Sequence, residues 1–344
     1  MNSLLMESFM GMQVVVLAGG FGSRLQPWTY TLPKPLLPLL DRTLVEQVVS
    51  GVPSELIDEV IIAAGYKVED LRDYFASCEL DYDVKIVPED EPMGTGGALK
   101  NCMDHLSGTF ACFNGDVVSS LDFSSMLRQH KNMKCLGTLA LWEVADPTRF
   151  GIVGIDEYQL VTKFKEKPTP EEVFSNLINA GSYILEEDVF ELMPDGRSSL
   201  ERELFPVLAE QGALGGMPFE GYFIDAGTPE SWKNAVKAAI VHGRHDAGLV
   251  DSSSWFADSR VIDCTRKGYN MFAKGSDVAD SATIHDCTLL EQSRVADGSS
   301  LQDCLLGMAS KVGRDCQLRG VIIDHAAEVP DGTVQTGGVF PQVE

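Results

Sequence analysis

The first half of the chain alternates short apolar runs with stretches of helical spacing. The apolar runs have the length of buried strands and cover Gln13–Ala18, Glu59–Ala64, Val84–Val87 and Thr109–Asn114. Helical spacing occurs between them, over Thr43–Val49, Val68–Ala76 and Thr95–Met103. This alternation predicts an α/β fold with a doubly wound, mixed but mainly parallel sheet. Such sheets bind ligands at the carboxyl ends of their strands, so we expect Gly19–Arg24 and Asn114–Asp116 to lie at that edge.

A second pattern begins near Trp255, where apolar residues repeat every 17 positions. The repeat runs in three registers: Val261, Val278, Val295, Val312 and Val329; Ile284, Leu301 and Leu318; and Leu289, Leu306 and Ile323. Three apolar positions per repeat predict coils with three short flat faces, the pattern of a parallel β-helix built from hexapeptide-like rungs. We therefore predict two domains, residues 1–245 and 246–344, with a helix at Trp232–Ile240 before a polar connector.

Composition narrows the class of protein. The 344 residues carry a formal net charge of −24, which argues against nucleic acid or an anionic membrane as partner. No apolar stretch approaches the ~18 residues needed to cross a bilayer, and Met1–Met12 lacks the basic start of a signal peptide. The eight cysteines form no CxxC pair, so we expect reduced thiols and a cytoplasmic location.

The segment Leu17–Pro35, LAGGFGSRLQPWTYTLPKP, carries the strongest indication of chemistry. Its glycines allow successive N–H groups to face a polyphosphate, while Arg24 and Lys34 supply phosphate-binding cations. The spacing fits neither the dinucleotide fingerprint, because Leu25 stands where GxGxxG needs glycine, nor a Walker A loop. From the residues alone, the segment is a phosphate-binding loop.

The whole string resembles the signature of the sugar-1-phosphate nucleotidyltransferase family, GGxGTRLxPLT followed by PKP. Ser23 replaces threonine and Trp28 replaces leucine. Six later segments match family blocks in order: EDEPMGTGGAL (Glu89–Leu99), NGD (Asn114–Asp116), EKP (Glu166–Pro168), INAGSYIL (Ile178–Leu185), SLERELFP (Ser199–Pro206) and DAGTPESW (Asp225–Trp232). DPTRFGIV (Asp146–Val153), together with INAG and SLERELFP from these blocks, is most similar to mannose-1-phosphate guanylyltransferases. Members of that group often carry a C-terminal left-handed β-helix, which agrees with the repeat.

The resemblance implies a role for each matched residue. Arg24 would hold the triphosphate, Lys34 the α-phosphate and Lys167 the sugar phosphate, while Asp116 and Asp225 would bind Mg²⁺ or another divalent cation. Residues expected at the nucleotide are Leu17, Ala18, Gly19, Gly20, Gly22, Ser23, Glu89, Gly94 and Thr95. Residues expected at the sugar phosphate are Gly151, Glu166, Lys167, Asn179 and Gly181.

Simpler interpretations remain open for several of these residues. Asp116 could cap a turn, Asp225 could cap the helix that follows, and Lys167 could be a solvated charge. Glu89 favours guanine, because a carboxylate accepts from both the N1–H and N2–H₂ donors of that base. A plain loop charge at Glu89 would leave the choice of base open.

The reaction expected from the resemblance joins a nucleoside triphosphate and a sugar 1-phosphate into a nucleotide sugar and pyrophosphate. GTP with mannose 1-phosphate is the first choice. The alternatives are a uridylyl- or thymidylyltransferase acting on glucose 1-phosphate and, in another class, a non-catalytic regulatory subunit. Because a β-helix has flat faces and open coil edges, we also expect a homo-oligomer.

Overall fold

The computed structural model describes residues 11–258 and 263–342, which form two compact units. One unit comprises the described residues up to Phe21 together with Val48–Phe223, and the other comprises Gly22–Gln47 together with the described residues from Ile224 onward. Most of Met1–Met12, the segment that lacks the basic start of a signal peptide, lies outside the described residues, and so does Val261, the first valine of the 17-residue repeat.

The first unit is built around a mixed sheet that has nine strands among the described residues. They are β1 (Met12–Leu17), β2 (Ile57–Ala64), β3 (Asp83–Pro88), β4 (Thr109–Asn114), β5 (Gly137–Glu143), β6 (Gly151–Ile155), β7 (Val161–Glu166), β8 (Leu177–Glu186) and β9 (Leu214–Pro218). The order is β7-β6-β8-β4-β1-β2-β3, with β5 also paired to β8 and β9 paired to β5.

Parallel and antiparallel pairs share this sheet. β1 runs parallel to β2 and β4, and β3 runs parallel to β2. β8 runs antiparallel to β4, β5 and β6. The apolar side chains of β1, β2 and β4 are almost fully buried, which explains their continuous rather than alternating apolar runs.

Helices cover the sheet of the first unit. They include α1 (Val68–Ser77), α2 (Gly94–Lys100), α3 (Phe123–Met133), a π-helical segment at Leu200–Leu204 and α4 (Phe205–Glu210). Shorter 3₁₀ turns lie at Ser54–Leu56, Met103–His105, Pro170–Glu172 and Glu187–Leu192. No helix in the part of the chain that the structure describes is long and apolar enough to cross a membrane.

The second unit contains the helix α5 (Pro229–Val241) and a parallel β-helix with three faces. The first face consists of Leu249–Asp251, Ser254–Phe256, Asn270–Phe272, Thr288–Leu289, Leu305–Leu306, Ile322–Ile323 and Val339–Phe340. The second consists of Thr265–Lys267, Thr283–His285, Ser300–Gln302, Gln317–Arg319 and Val334–Thr336, and the third of Asp277–Val278, Arg294–Val295, Lys311–Val312 and Glu328–Val329.

The segment Gly22–Gln47 also belongs to the second unit. It forms 3₁₀ turns at Ser23–Leu25 and Lys34–Leu36, a short helix at Trp28–Thr31 and a hairpin of Pro38–Leu39 with Arg42–Thr43. A further helix, Leu44–Val49, begins at the end of this segment.

The predicted fold class is confirmed in both parts. The 17-residue period appears directly in the strand pairing, where Val278, Val295, Val312 and Val329 stack in register. Cys287 and Cys304, which lie 17 residues apart and so at equivalent positions of the repeat, are both buried in the β-helix core. The hydrophobic pattern did not predict the strands from β5 onward, because some of them, such as β7, are half exposed and lack a continuous apolar run.

Candidate functional site

The carboxyl ends of β1 and β4 bring two predicted motifs together in the first unit. Leu17 is paired with Asn114, and the Gly115 N–H donates to the Leu17 carbonyl at 2.9 Å. The start of the glycine-rich loop and the NGD motif therefore leave neighbouring parallel strands side by side, as the sequence predicts. Gly115 has no room for a side chain, because a Cβ there would lie 2.9 Å from the Leu17 carbonyl oxygen.

Glu89 follows β3 and reaches the same edge. Its Oε2 accepts from the Met93 N–H at 3.2 Å, whereas Oε1 is buried without a hydrogen-bond partner. A Cβ on Gly19 would stand only 2.3 Å from Oε1, and a Cβ on Gly65 would stand 3.3 Å from the Gly19 carbonyl oxygen. Burial raises the pKa of Glu89, and the Met93 bond opposes this only in part. Glu89 is thus a buried acceptor against the loop rather than a solvated loop charge.

The GTGG segment at the start of α2 has a structural explanation that the sequence did not reveal. A Cβ on Gly94 would stand 2.4 Å from the Ser198 carbonyl oxygen, so glycine is needed for this close approach. The Thr95 hydroxyl donates to Glu201 Oε2 at 2.6 Å and accepts from the Leu200 N–H at 3.0 Å. Ser198 and Glu201, next to and within the SLERELFP block, therefore hold the segment that contains the predicted nucleotide residues Gly94 and Thr95.

The EKP motif lies at the end of β7. Lys167 has a left-handed backbone (φ 47°), and its N–H donates to the Phe150 carbonyl at 2.9 Å. Its Nζ lies 3.4 Å from Glu166 Oε1, and its side chain is 61% exposed against 15% for Glu166. Burial, followed by the nearby carboxylate of Glu201, raises the pKa of Glu166, while Lys167 lowers it. The exposed ammonium of Lys167 is accessible to an anion, and Glu166 lies beneath it.

Gly151 and Gly181 pack against polar groups of the predicted site. A Cβ on Gly151 would stand 2.9 Å from Glu166 Oε2, and one on Gly181 would stand 2.7 Å from Asn114 Nδ2. Asn179 stabilises the irregular register of β8 here, because its Oδ1 accepts from the Gly181 N–H at 3.0 Å. Its Nδ2 donates to the Tyr183 hydroxyl at 3.0 Å, so the amide is engaged inside the strand.

Asp116 is the carboxylate that follows β4 in the first unit, and it is half-buried. Its position at the carboxyl end of a strand beside the loop suits a ligand for a hard cation. Within residues 11–258 and 263–342, no group of three histidine, cysteine or carboxylate side chains is placed to hold a metal ion.

The second unit contains the rest of the loop. Gly22 has a left-handed backbone (φ 64°), and a Cβ there would stand 3.0 Å from both Lys34 Cβ and Thr29 Cγ2. The Thr29 hydroxyl donates to the Gly22 carbonyl at 3.0 Å, which closes the loop around the lysine stem. Gly22 and Lys34 are thereby brought together, and Ser23 lies exposed beside them.

Arg24 and Asp225 converge over a glycine in the same unit. A Cβ on Gly227 would stand 2.4 Å from Arg24 Nη2 and 2.7 Å from Asp225 Oδ1. The helix α5 is capped by Thr228, whose hydroxyl accepts from the Ser231 N–H at 3.1 Å. The alternative in which Asp225 caps this helix is therefore wrong, and the carboxylate instead lies beside the Arg24 guanidinium. Sequence reasoning missed Gly227, which is the glycine of the DAG motif.

Two family models match the chain. The nucleotidyl transferase model matches residues 13–240, and the GlmU-like, C-terminal hexapeptide model matches residues 263–337. The second match agrees with the left-handed β-helix that the resemblance implies. It covers the strands of the three-faced coils from Thr265–Lys267 to Val334–Thr336.

Named relatives agree with the first match. The chain is 37% identical to a mannose-1-phosphate guanylyltransferase of Mycobacterium tuberculosis over 67% of this chain and 64% of that protein. It is 33% identical to a mannose-1-phosphate guanyltransferase of Candida albicans over 64% of this chain and 62% of that protein. The match thus spans less than two thirds of the length of these curated relatives.

Two solved structures share the fold of the first part. HddC from Yersinia pseudotuberculosis, complexed with GMP-PN, gives a TM-score of 0.55 at 28% identity and covers 65% of this chain and 98% of its own. A putative glucose-1-phosphate thymidylyltransferase from Bacillus anthracis, in complex with a sucrose, gives a TM-score of 0.61 at 26% identity. It covers 70% of this chain and 98% of its own.

Proposed function

The chain belongs to the nucleotidyl transferase family, and we propose that it forms GDP-mannose and pyrophosphate from GTP and mannose 1-phosphate. In this reaction a phosphate oxygen of the sugar phosphate attacks the α-phosphorus of the triphosphate. A new P–O bond forms, the bond between the α-phosphorus and its bridging oxygen breaks, and pyrophosphate leaves with the electron pair. The protein needs to align two anions and neutralise developing charge, which requires no protein nucleophile.

Three cations have proposed roles in this transfer. Arg24 holds the triphosphate and stabilises the departing pyrophosphate, and Lys34 contacts the α-phosphate. Lys167 holds the sugar phosphate, for which its exposed ammonium is suited. The chemistry of each residue type supports these roles, since a guanidinium binds phosphate with two prongs and an ammonium acts as a compact charge.

Asp116 and Asp225 remain the proposed ligands for Mg²⁺. Both offer the hard oxygen donors that Mg²⁺ prefers, and neither has more than partial exposure. When bound, the ion would neutralise phosphate charge and leave coordination positions for substrate oxygens.

The choice of guanine depends mainly on one observation, the buried Oε1 of Glu89 without a partner. A buried carboxylate oxygen costs free energy until a donor reaches it, and guanine presents two adjacent donors. Uracil and thymine present an acceptor–donor–acceptor edge, which would place oxygens against the carboxylate. The names of the relatives from Mycobacterium tuberculosis and Candida albicans support the same base and also support mannose 1-phosphate.

A thymidylyl- or uridylyltransferase acting on glucose 1-phosphate is the second candidate. The likeness to the putative thymidylyltransferase of Bacillus anthracis favours it. A regulatory subunit is the third, but the chain retains all five residues with proposed roles at phosphate and metal: Arg24, Lys34, Asp116, Lys167 and Asp225.

Pyrophosphate release from a panel of substrates separates these candidates. The protein is mixed with Mg²⁺, with GTP, UTP or dTTP, and with mannose 1-phosphate or glucose 1-phosphate. We expect the fastest release with GTP and mannose 1-phosphate. Release with UTP or dTTP but not GTP would contradict the guanylyl assignment. If pyrophosphate is released with none of the pairs, the proposal that the chain is an enzyme of this type is contradicted.

Location and assembly are also proposals. The cysteines of the described residues are free thiols, and all except Cys78 are buried, which suits a reducing compartment such as the cytoplasm. The flat faces of the β-helix suit contacts between copies of the chain. Light scattering of the purified protein would test the expected homo-oligomer.

A further inference from the structure

A tryptophan in the phosphate-binding segment is anchored to the C-terminal β-helix. The Trp28 side chain is fully buried, and its indole N–H donates to the Ile323 carbonyl at 2.9 Å. Its ring stacks on the His325 imidazole, with centroids 6.0 Å apart and 28° between the ring planes. Both contacts lie within the second unit.

The β-helix holds its side of this anchor rigidly. The Ile323 carbonyl also accepts from the Gly307 N–H at 2.9 Å, so one oxygen serves both the coil ladder and Trp28. His325 Nδ1 accepts from the Met308 N–H at 2.8 Å, which fixes the imidazole against the preceding coil. These hydrogen bonds between coils already fix the groups that contact Trp28, so the anchor is in place before any substrate binds.

The anchored tryptophan is tied to the cationic loop on its other side. Thr29, the next residue, donates its hydroxyl to the Gly22 carbonyl, and its methyl group faces the space above Gly22. Lys34 packs on the same side of that glycine. The Trp28 carbonyl accepts from the Leu32 N–H at 3.1 Å, which closes the turn towards Lys34. Movement of Trp28 would therefore shift the glycine and the lysine together.

We propose that Trp28 and His325 are positioning residues, through which the β-helix sets the placement of Lys34 and of the turn at Gly22 for phosphate transfer. The proposal rests on the proposed function. The family signature has leucine at this position, and leucine has no N–H to offer the Ile323 carbonyl. In this proposal the β-helix positions the phosphate-binding loop, in addition to its proposed role in contacts between copies of the chain.

Replacement of Trp28 by phenylalanine tests the proposal, with Trp255 as a matched control. Trp255 is buried in the same unit, and its indole N–H donates to the Ala247 carbonyl at 3.1 Å, away from the loop. Trp28→Phe and Trp255→Phe remove the same kind of hydrogen bond. We expect kcat to fall about ten-fold in Trp28→Phe, because small misplacement of catalytic groups is costly, and to stay within about two-fold in Trp255→Phe.

A second readout needs no substrate. Amide hydrogen exchange over residues 22–36 should speed up at least five-fold in Trp28→Phe and stay unchanged in Trp255→Phe. His325→Asn, which keeps an acceptor for the Met308 N–H but removes the ring, should give the same direction of change. Equal kcat in Trp28→Phe and Trp255→Phe, or equal exchange over residues 22–36 in the two variants, would overturn the proposal. An inactive wild type would contradict only the proposed function, because the exchange comparison would still show whether Trp28 holds residues 22–36 in place.

Discussion

The carboxylate of Glu89 lies against the backbone of Gly19, so close that a Cβ on the glycine would stand 2.3 Å from Oε1. The loop glycine and the proposed base-reading acid therefore depend on each other. The glycine leaves room for the carboxylate, and the carboxylate keeps one buried oxygen without a hydrogen-bond partner. This arrangement has a cost in the free protein that a bound base would offset.

Gly19→Ala should disturb the nucleotide site through Glu89. Because the added methyl group overlaps Oε1, the carboxylate has to move, and we expect kcat/KM for GTP to fall about ten-fold or more. Gly20→Ala is the control for the unfolding free energy, since nothing lies within 4 Å of a Cβ at that position. Steady-state kinetics and urea unfolding of both variants check this. Unchanged GTP kinetics in Gly19→Ala would contradict the role given to this contact.

Glu89→Gln should increase the stability of the protein and weaken its preference for GTP over UTP. Burial raises the pKa of Glu89 above its ordinary 4.5, so the ionised form is disfavoured in the folded state. The wild type therefore loses stability as the pH rises above about 4.5, whereas glutamine does not titrate. We expect a larger unfolding free energy for the variant at pH 7, together with a lower ratio of GTP to UTP turnover.

The pH dependence of unfolding and the kinetics with both triphosphates are the measurements for Glu89→Gln. A variant that is less stable than the wild type at pH 7, with an unchanged ratio of GTP to UTP turnover, would show that Glu89 is a structural group.

Gly181→Ala should destabilise the first unit by more than the cost of backbone strain alone. A left-handed backbone costs a residue with a Cβ about 1–2 kcal/mol. Gly181 (φ 65°) and Gly212 (φ 66°) share this cost, but only at Gly181 would the Cβ meet a neighbour, 2.7 Å from Asn114 Nδ2. We expect about 1 kcal/mol for Gly212→Ala and roughly 2–4 kcal/mol for Gly181→Ala in urea unfolding. Equal losses of unfolding free energy in the two variants would show that the close approach to Asn114 does not contribute.

His130 should make the first unit sensitive to acid. The imidazole is buried between the Thr138 hydroxyl, 2.8 Å from Nδ1, and Glu186 Oε1, 2.9 Å from Nε2. Burial lowers the pKa of His130 below 6.5, although Glu186 opposes the shift. As the pH falls below about 6.5, the unfolded chain binds a proton that the folded chain does not, so the unfolding free energy decreases.

Unfolding curves between pH 7.5 and about 5.5 check the His130 prediction. His130→Gln removes the group that binds this proton, so the unfolding free energy of the variant should fall less steeply with acidification than that of the wild type. The buried His325, whose pKa is also lowered by burial, is present in both proteins and cancels in the comparison. Parallel curves would contradict the prediction.

Much of this structure could be predicted from the sequence, for identifiable physical reasons. The strands β1, β2 and β4 are buried on both faces and so appear as continuous apolar runs. The β-helix stacks equivalent residues, so its period is visible in the valines of one face. The Gly19 loop and the NGD motif follow parallel neighbours, which places them at one edge.

The remaining contacts join residues far apart in the chain and leave no local pattern. Nothing around Thr95 indicates that its hydroxyl donates to Glu201, and nothing around Trp28 indicates that its indole donates to the Ile323 carbonyl. Likewise, the glycine of the DAG motif shows its purpose only where Arg24 and Asp225 approach it. These pairings depend on tertiary structure that the hydrophobic pattern does not specify.

Phosphorus NMR of the protein with GTP, mannose 1-phosphate and Mg²⁺ tests the proposed activity most directly. We expect the resonances of pyrophosphate and of a nucleoside diphosphate sugar to grow together in equal amounts, and to be absent with Asp116→Ala. Unchanged GTP, or its hydrolysis to GDP and phosphate without a sugar product, would contradict the proposed transfer.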